Sequence, residues 1–427
     1  MRTAWGCFCL LISVTIICII FYLRNSMKSE SVRDWRIRNW NVFERVDESK
    51  EETLEEFENQ RVPLRGQLTA NGSLRLKTIL YWNTMYAEKH RHFMFGTGDV
   101  FRGCPVPHCY GTPDRKWLNN LEDYDAILFH GIEMNTGDLP TGRSDHQRYI
   151  FFSWESPASR PITSMYFVLT PNYYNWTMSY RLDSDIIRPY GRIRDLSTNE
   201  IISPPRDPAG IVPWRTPKSY DVSNEEFEII KSKSRMAAWF VSHCNTHSRR
   251  ETLVEELKKY FKVDIYGQCG KLRCNKENNE MCNDLIERDY FFYFSFENTL
   301  CKDYVTEKLF SPMSKYTIPV VYGGADYSKF APPHSYINIM DFNSTSELAD
   351  YLLRLSRNPV EYASYFWWKS YYQVEDTTKS TLCDLCEKLH NNDLPKKTVG
   401  DFTKYYITDQ CYPSGNLSWI KSMHHWR

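Results

Sequence analysis

Residues Tyr290–Gly324 read YFFYFSFENTLCKDYVTEKLFSPMSKYTIPVVYGG, and two apolar runs separated by a charged segment have the pattern of a strand–helix–strand unit. Tyr290–Phe296 is aromatic and bounded by polar residues, as buried parallel strands are, and Thr317–Tyr322 is a second, β-branched run. Between them is room for one helix. Asp303 is the N-cap expected for a helix over Tyr304–Lys315, whose free N–H groups would face the carboxyl end of the preceding strand, where α/β sheets bind phosphate. Glu307 and Lys308 follow near that terminus. A carboxylate accepts from ribose hydroxyls and a lysine holds a pyrophosphate, so the pair suits a nucleotide sugar; taken alone it also reads as an ordinary ion pair on a solvated helix face.

Outward from this stretch, the same alternation continues. LKTILYWN from Leu76, Asp125–Gly131 (DAILFHG) and Arg148–Pro157 (RYIFFSWESP) are strand-like runs separated by helix-sized gaps, which predicts a parallel α/β sheet. Glu155 falls just past the third run, on a loop at the sheet's carboxyl edge, where a carboxylate suits removal of a proton from an attacking hydroxyl; a surface residue or helix cap is the other reading. Ser203–Pro217 holds five prolines and reads as an interdomain connection, followed by a helical stretch over Ser223–Ser234. Met236–Asn245 is a strand running into a loop, Arg249–Phe261 carries a helical stripe of Leu253, Val254, Leu257 and Phe261, and VDIYG closes a second βαβ unit with arginines at the helix start. A strand (YINIMDF), a helix over Ser346–Arg357 and a Trp-rich helix around Tyr362–Gln373 are expected after Pro333.

The chain of 427 residues is long enough for two domains with appendages, and 42% hydrophobic content suits packed cores. Its 53 basic and 53 acidic residues cancel, so nothing global draws it to nucleic acid or an anionic surface. No P-loop is present, which argues against an NTPase. Aromatic residues make up 15%, rings that cover sugar C–H faces as readily as they fill cores. Thr3–Leu23 is an uncharged apolar run between Arg2 and Arg24, the length of a bilayer-spanning helix, and reads as a signal-anchor rather than a cleaved signal peptide. The basic residues after it run against the positive-inside tendency, so orientation rests on other features. Four sequons, at Asn71, Asn175, Asn343 and Asn416, and ten cysteines beyond the span fit a lumenal body. Ser26–Leu74 has little to bury and reads as a stem. Cys383-Asp-Leu-Cys386 suits a structural bridge, with a redox pair or half a zinc site as the rival readings; neither a second CxxC nor a suitably spaced histidine accompanies it.

FSFENTLCKDYVTEKLF followed by TIPVVYGG resembles the donor-binding signature of the α1,3-fucosyltransferases, glycosyltransferase family 10, which carry FEN, DY[IV]TEK and a P-V-V run in this order. WESP is similar to the family's ESP segment, Asn175–Gly191 (NWTMSYRLDSDIIRPYG) to its YRxDSD…PYG block, and SELADYLLRL and YFWWK to its C-terminal portion. The cysteine-rich stretch before FEN departs from the common pattern and hints at an invertebrate-like branch. The resemblance implies a GT-B fold: two Rossmann-like domains facing each other across a cleft, behind an N-terminal transmembrane helix and stem. The expected division is 1–24 cytoplasmic tail and signal-anchor, 25–75 stem, 76–215 acceptor-side domain, 216–375 GDP-fucose-binding domain, and 376–427 a C-terminal tail with the CxxC.

The function it implies is inverting transfer of L-fucose from GDP-fucose to a GlcNAc hydroxyl of a glycoprotein or glycolipid glycan by a single-pass type II Golgi membrane protein. The acceptor is the N-glycan core GlcNAc or a lactosamine or LacdiNAc antenna; a catalytically inactive Golgi glycan-binding protein is the alternative of another class. Carried over, Glu155 is the catalytic base, and Arg250, Asn298, Tyr304, Glu307 and Lys308 bind the donor. Tyr180 and Arg181 shape the sugar site. Asp183 and Asp185 could read as a Mn²⁺-binding D-x-D, but the family's block makes them structural or acceptor-side, so no metal ligand and no required cofactor is expected, with GDP-fucose a co-substrate and Mn²⁺ at most a stimulant.

Overall fold

The computed structural model describes residues 75–86, 92–135, 137–159, 171–217, 222–274 and 279–413; the expected membrane span and stem lie outside them. Among the described residues no helix is long and apolar enough to cross a membrane. The chain opens with β1 (Lys77–Tyr81), β2 (Cys109–Thr112), β3 (Ala126–His130), β4 (Arg148–Ser153), β5 (Trp176–Ser179) and β6 (Ile186–Ile187). They form one sheet in the order β2-β1-β3-β4-β5-β6, every pairing parallel. The three anticipated strands are β1, β3 and β4. β2, β5 and β6 were not anticipated, being two to four residues long with too few alternations to register as a period. β7 (Arg192–Asp195) and β8 (Ile201–Ser203) then form an antiparallel hairpin.

The second half begins with α1 (Asn224–Ser232), started by Ser223 in a reciprocal capping box with Glu226. β9 (Arg235–Phe240), α2 (Arg250–Leu257), β10 (Val263–Tyr266), α3 (Asn279–Asp289), β11 (Tyr290–Phe296), α4 (Glu307–Met313), β12 (Ile318–Tyr322) and β13 (Ile337–Asn338) follow. Their strands form a second all-parallel sheet, β10-β9-β11-β12-β13. The helical stripe of α2 buries Leu253, Val254 and Leu257 against Phe292, Phe294 and Phe296 of β11, joined by Leu348 and Leu352 of α5 (Thr345–Leu355). In both sheets the strand order reverses between the first and third strands in sequence, β1/β3 and β9/β11. The carboxyl ends flanking such a reversal leave a crevice where ligands of α/β sheets bind.

The expected Trp-rich helix is broken into α6 (Pro359–Ala363), a 3₁₀ turn over Ser364–Ser370 and a strand, β14 (Tyr372–Glu375), that pairs with β7. Its tryptophans, Trp367 and Trp368, are buried beside Leu309 and Phe310 of α4, so packing rather than helical period sets their spacing. The expected C-terminal tail instead covers the first sheet. Leu382, Leu385 and Leu389 of α7 (Thr378–His390) pack on the face carrying Ile79, Leu128 and Ile150, and Phe402 and Tyr406 of α8 (Phe402–Tyr406) on the face carrying Leu80, Ile127 and Phe151. Cys383 and Cys386 bond to Cys104 and Cys109 rather than to each other, stapling α7 to the first half. Cys244–Cys269, Cys274–Cys282 and Cys301–Cys411 complete the pairing of all ten.

Candidate active site

The segment after β11 turns on a residue that sequence reasoning passed over. Glu297, 1% exposed, accepts from the Thr306 backbone N–H at 2.8 Å and from the Thr306 hydroxyl at 2.9 Å, and pairs with Lys308 Nζ at 3.3 Å. Thr306, not Asp303, caps α4, which is accordingly shorter than expected. Asp303 lies in the left-handed region, φ 60°, and its carboxylate accepts from the Leu182 N–H at 3.2 Å, tying the segment between β11 and α4 to the first half. Burial raises the Glu297 carboxyl above its usual range against the pull of Lys308. Burial also works against charge on Lys308, but Glu297 and Glu307 outweigh it and hold the ammonium above the usual lysine value. Glu307 meets Lys308 at 3.1 Å while its side chain stays 63% exposed, free to accept from a ligand hydroxyl.

Arg250 sits at the strand-order reversal of the second sheet. Its guanidinium donates to the Phe296 carbonyl at the end of β11 (2.6 Å) and to the His243 carbonyl in the loop after β9 (3.3 Å). It is 2% exposed and its Nε has no partner. Burial lowers its pKa, with Glu297 opposing. Arg249 is exposed and, with φ 53°, serves as the backbone start of α2. Beside Arg250, Asn298 keeps a buried Oδ1 with no partner, an acceptor open to a ligand donor.

Glu155 lies just beyond β4, and the structure brings it to Tyr304, in the segment between β11 and α4. Its carboxylate accepts from Tyr304 Oη at 3.0 Å and from Tyr86 Oη at 3.4 Å. Tyr304 is 2% exposed, and burial together with Tyr190 and Glu155 keeps its phenol protonated, hence a donor. Ser156 and Thr299 share a hydroxyl bond of 2.7 Å, a second tie between the two sheets' loops. Trp154 is stacked on Tyr190 (centroids 5.1 Å apart) and covered on its ring by Arg188 at 4.0 Å, so the residue before Glu155 is fixed from both sides.

The remaining expected residues divide. Tyr180 is buried with its ring against Tyr304, centroids 4.9 Å apart. Arg181 is also buried, but its donors go to Asp183, the Tyr405 carbonyl and Gln410, so it braces the C-terminal segment. Asp185 accepts from Thr177 and pairs with Lys397. Among the described residues the close His/Cys grouping is Cys109, Cys386 and His390, and its two sulphurs form a disulfide. Of the sequons, Asn343 is exposed, and Asn71 and Asn416 lie outside the described residues. Asn175 is 8% exposed: its amide donates to the Lys397 carbonyl at 3.0 Å and its Oδ1 accepts from the Tyr149 N–H at 2.8 Å, which corrects its reading as a glycan site in the folded chain. Glu297 stood in the quoted FEN and Thr306 in the quoted DYVTEK, and both could have been found there; Tyr86 carried no such signal.

Two family models match the chain: "Fucosyltransferase, N-terminal" over residues 74–191 and "Glycosyltransferase family 10 (fucosyltransferase) C-term" over residues 230–405. Alpha-(1,3)-fucosyltransferase C of Drosophila melanogaster is 40% identical over 330 residues, 75% of each chain. Alpha-(1,3)-fucosyltransferase fut-1 of Caenorhabditis elegans is 34% identical over 317 residues, 73% of this chain and 63% of that one. A crystal structure of an alpha1,3-fucosyltransferase aligns over 77% of this chain and 93% of that one, at 17% identity and a TM-score of 0.48.

Proposed function

The chain belongs to glycosyltransferase family 10, the fucosyltransferases, and on that premise we propose that it transfers L-fucose from GDP-fucose to a GlcNAc hydroxyl of a glycan, in α1,3 linkage and with inversion. The observation that carries the reading is the hydrogen bond from Tyr304, in the donor motif, to Glu155, at the carboxyl edge of the first sheet. It brings a carboxylate able to take a proton next to the segment read as gripping the nucleotide. The two parallel sheets are the two halves of a GT-B enzyme in this reading, with the reaction where their carboxyl edges meet.

Glu155 accepts the proton of the acceptor hydroxyl as that oxygen attacks the anomeric carbon and the bond to GDP breaks. Lys308 and Arg250 offset the charge gathering on the departing diphosphate, the more strongly because both sit in a water-poor site and need no rearrangement. The unpartnered Arg250 Nε–H and Asn298 Oδ1 suit phosphate and base or ribose groups respectively, and the exposed Glu307 carboxylate accepts from a ribose hydroxyl. No step calls for a metal. The five disulfides support an oxidising compartment, in keeping with a Golgi lumenal body on a single N-terminal anchor.

The test is fucose transfer by the chain and by Glu155→Gln, offered N-glycan core and antenna acceptors, with and without chelator. Glu155→Gln should lose roughly 10²- to 10⁴-fold in kcat while still binding GDP. Transfer should survive chelation, and the preferred acceptor identifies the branch. Folded chain that binds GDP and transfers fucose to neither acceptor would favour a glycan-binding protein instead.

A further inference from the structure

The segment after α7 carries no motif, yet it passes behind the catalytic turn and ends on the donor segment. Tyr406, 0% exposed, donates its hydroxyl to the backbone carbonyl of Glu155 and accepts from Ser153 Oγ at 2.7 Å, whose oxygen lies 3.0 Å from that same carbonyl. Its ring packs on Phe151 of β4, centroids 4.9 Å apart. One residue earlier, Tyr405 bonds Ser184 at 2.9 Å through its hydroxyl and takes Arg181 on its carbonyl. Further along, Gln410 holds Arg181 with its side chain and accepts from the Lys302 N–H at 2.7 Å with its carbonyl. Cys411 then bonds covalently to Cys301, and Tyr412 N–H donates to the Leu300 carbonyl at 2.8 Å.

These contacts close a ring. From Glu155 the path runs through the Tyr304 hydroxyl to the 300–304 loop, across Cys301–Cys411 to the 402–412 segment, and back through Tyr406 to the Glu155 carbonyl. A glutamate on a loop has rotational freedom that proton transfer at a bound hydroxyl cannot tolerate, and positional errors of an ångström cost orders of magnitude in rate. We infer that residues 402–412 are a strap belonging to the catalytic machinery, with Tyr406 a positioning residue that sets the Glu155 turn and Cys301–Cys411 the link that registers this turn against the donor loop.

The inference rests on Glu155 being the base, so the test carries Glu155→Gln alongside. Tyr406→Phe keeps the ring and removes the hydroxyl. Its kcat should fall roughly 10- to 100-fold with the KM for GDP-fucose unchanged. Thr381→Val removes a buried hydroxyl that has no partner, on α7, and should leave kcat unchanged. The double variant Cys301→Ser, Cys411→Ser, with the other four disulfides intact by mass spectrometry, should lose kcat in the same sense. If Glu155→Gln abolishes transfer while folded Tyr406→Phe keeps full kcat, or loses only thermal stability, the strap has no positioning role. If Glu155→Gln stays active, the assignment of the base fails and the strap proposal with it.

Discussion

Glu297→Gln separates the support of the donor turn from its charge. The carboxylate, 1% exposed, holds the Thr306 N–H, the Thr306 hydroxyl and the Lys308 ammonium. Glutamine has the same shape and its oxygen can keep the Thr306 N–H, but its amide nitrogen then faces the Lys308 Nζ, donor against donor. Lys308, whose side chain is 19% exposed, is left with Glu307 as its charged partner, beside the Thr306 hydroxyl at 2.8 Å. Breaking a buried pair by removing one partner costs about 3–5 kcal/mol. Because Glu307 remains and one hydrogen bond survives, about 2–4 kcal/mol is expected here, or roughly 4–10 °C in Tm. The Thr306–Lys308 turn loosens with it, so GDP affinity should fall roughly tenfold, about 1.4 kcal/mol. Thermal unfolding and calorimetric titration of GDP read both quantities. A charge-only role predicts the opposite for binding, since deleting a negative charge near a diphosphate strengthens it. Tighter GDP binding with an unchanged Tm would refute the reasoning.

A Cβ on Gly191 would stand 2.2 Å from the Phe310 ring, so Gly191→Ala should cost about 1–3 kcal/mol by overpacking, with Gly191→Ala, Phe310→Leu recovering part of the Tm. Lys233 is buried against the Glu287 carbonyl and Thr317, and burial pulls its pKa down to about 7. Between that value and the unfolded value near ~10.4 the unfolded chain binds a proton that the folded chain does not, so stability contributed by this group rises with pH across the window. Lys308, held above the usual value, is charged in both states there and adds no slope. Lys233→Met should therefore flatten the rise in unfolding free energy from denaturant titration between pH 7 and 9 by about 1 kcal/mol or more, and an unaltered slope would contradict the assignment. Glycopeptide mapping should find sugar on Asn343 and none on Asn175, whose amide is spent inside the fold.

How far the sequence could be read depended on whether a signal was local. The two parallel sheets were legible because β1, β3, β4, β9, β11 and β12 are each a continuous apolar run between polar breaks, and the α2 stripe repeats at helical spacing. Glu155 was legible as a carboxylate just past β4, and Arg250 and Lys308 as cations at the starts of α2 and α4. The cap of α4 was misassigned because Asp303 and Thr306 are both good capping residues, and only the Leu182 N–H waiting for a carboxylate decides between them. The Trp-rich segment misled because its rings are spaced to fill the core beside α4 rather than to line a helix face.

By itself, then, the sequence determined the parallel α/β class, the fucosyltransferase family and which side chains stand at strand ends. Tertiary structure alone decided that Tyr304 donates to Glu155, that Arg181 braces the C-terminal segment, that the CxxC cysteines part to two different partners, and that residues 402–412 reach back to the Glu155 turn. The physical reason is sequence separation. Tyr304 and Glu155 are 149 residues apart and Tyr406 and Glu155 are 251 apart, and a hydrogen bond over such a span leaves no periodic trace in the chain because any arrangement of the intervening elements could make or forbid it.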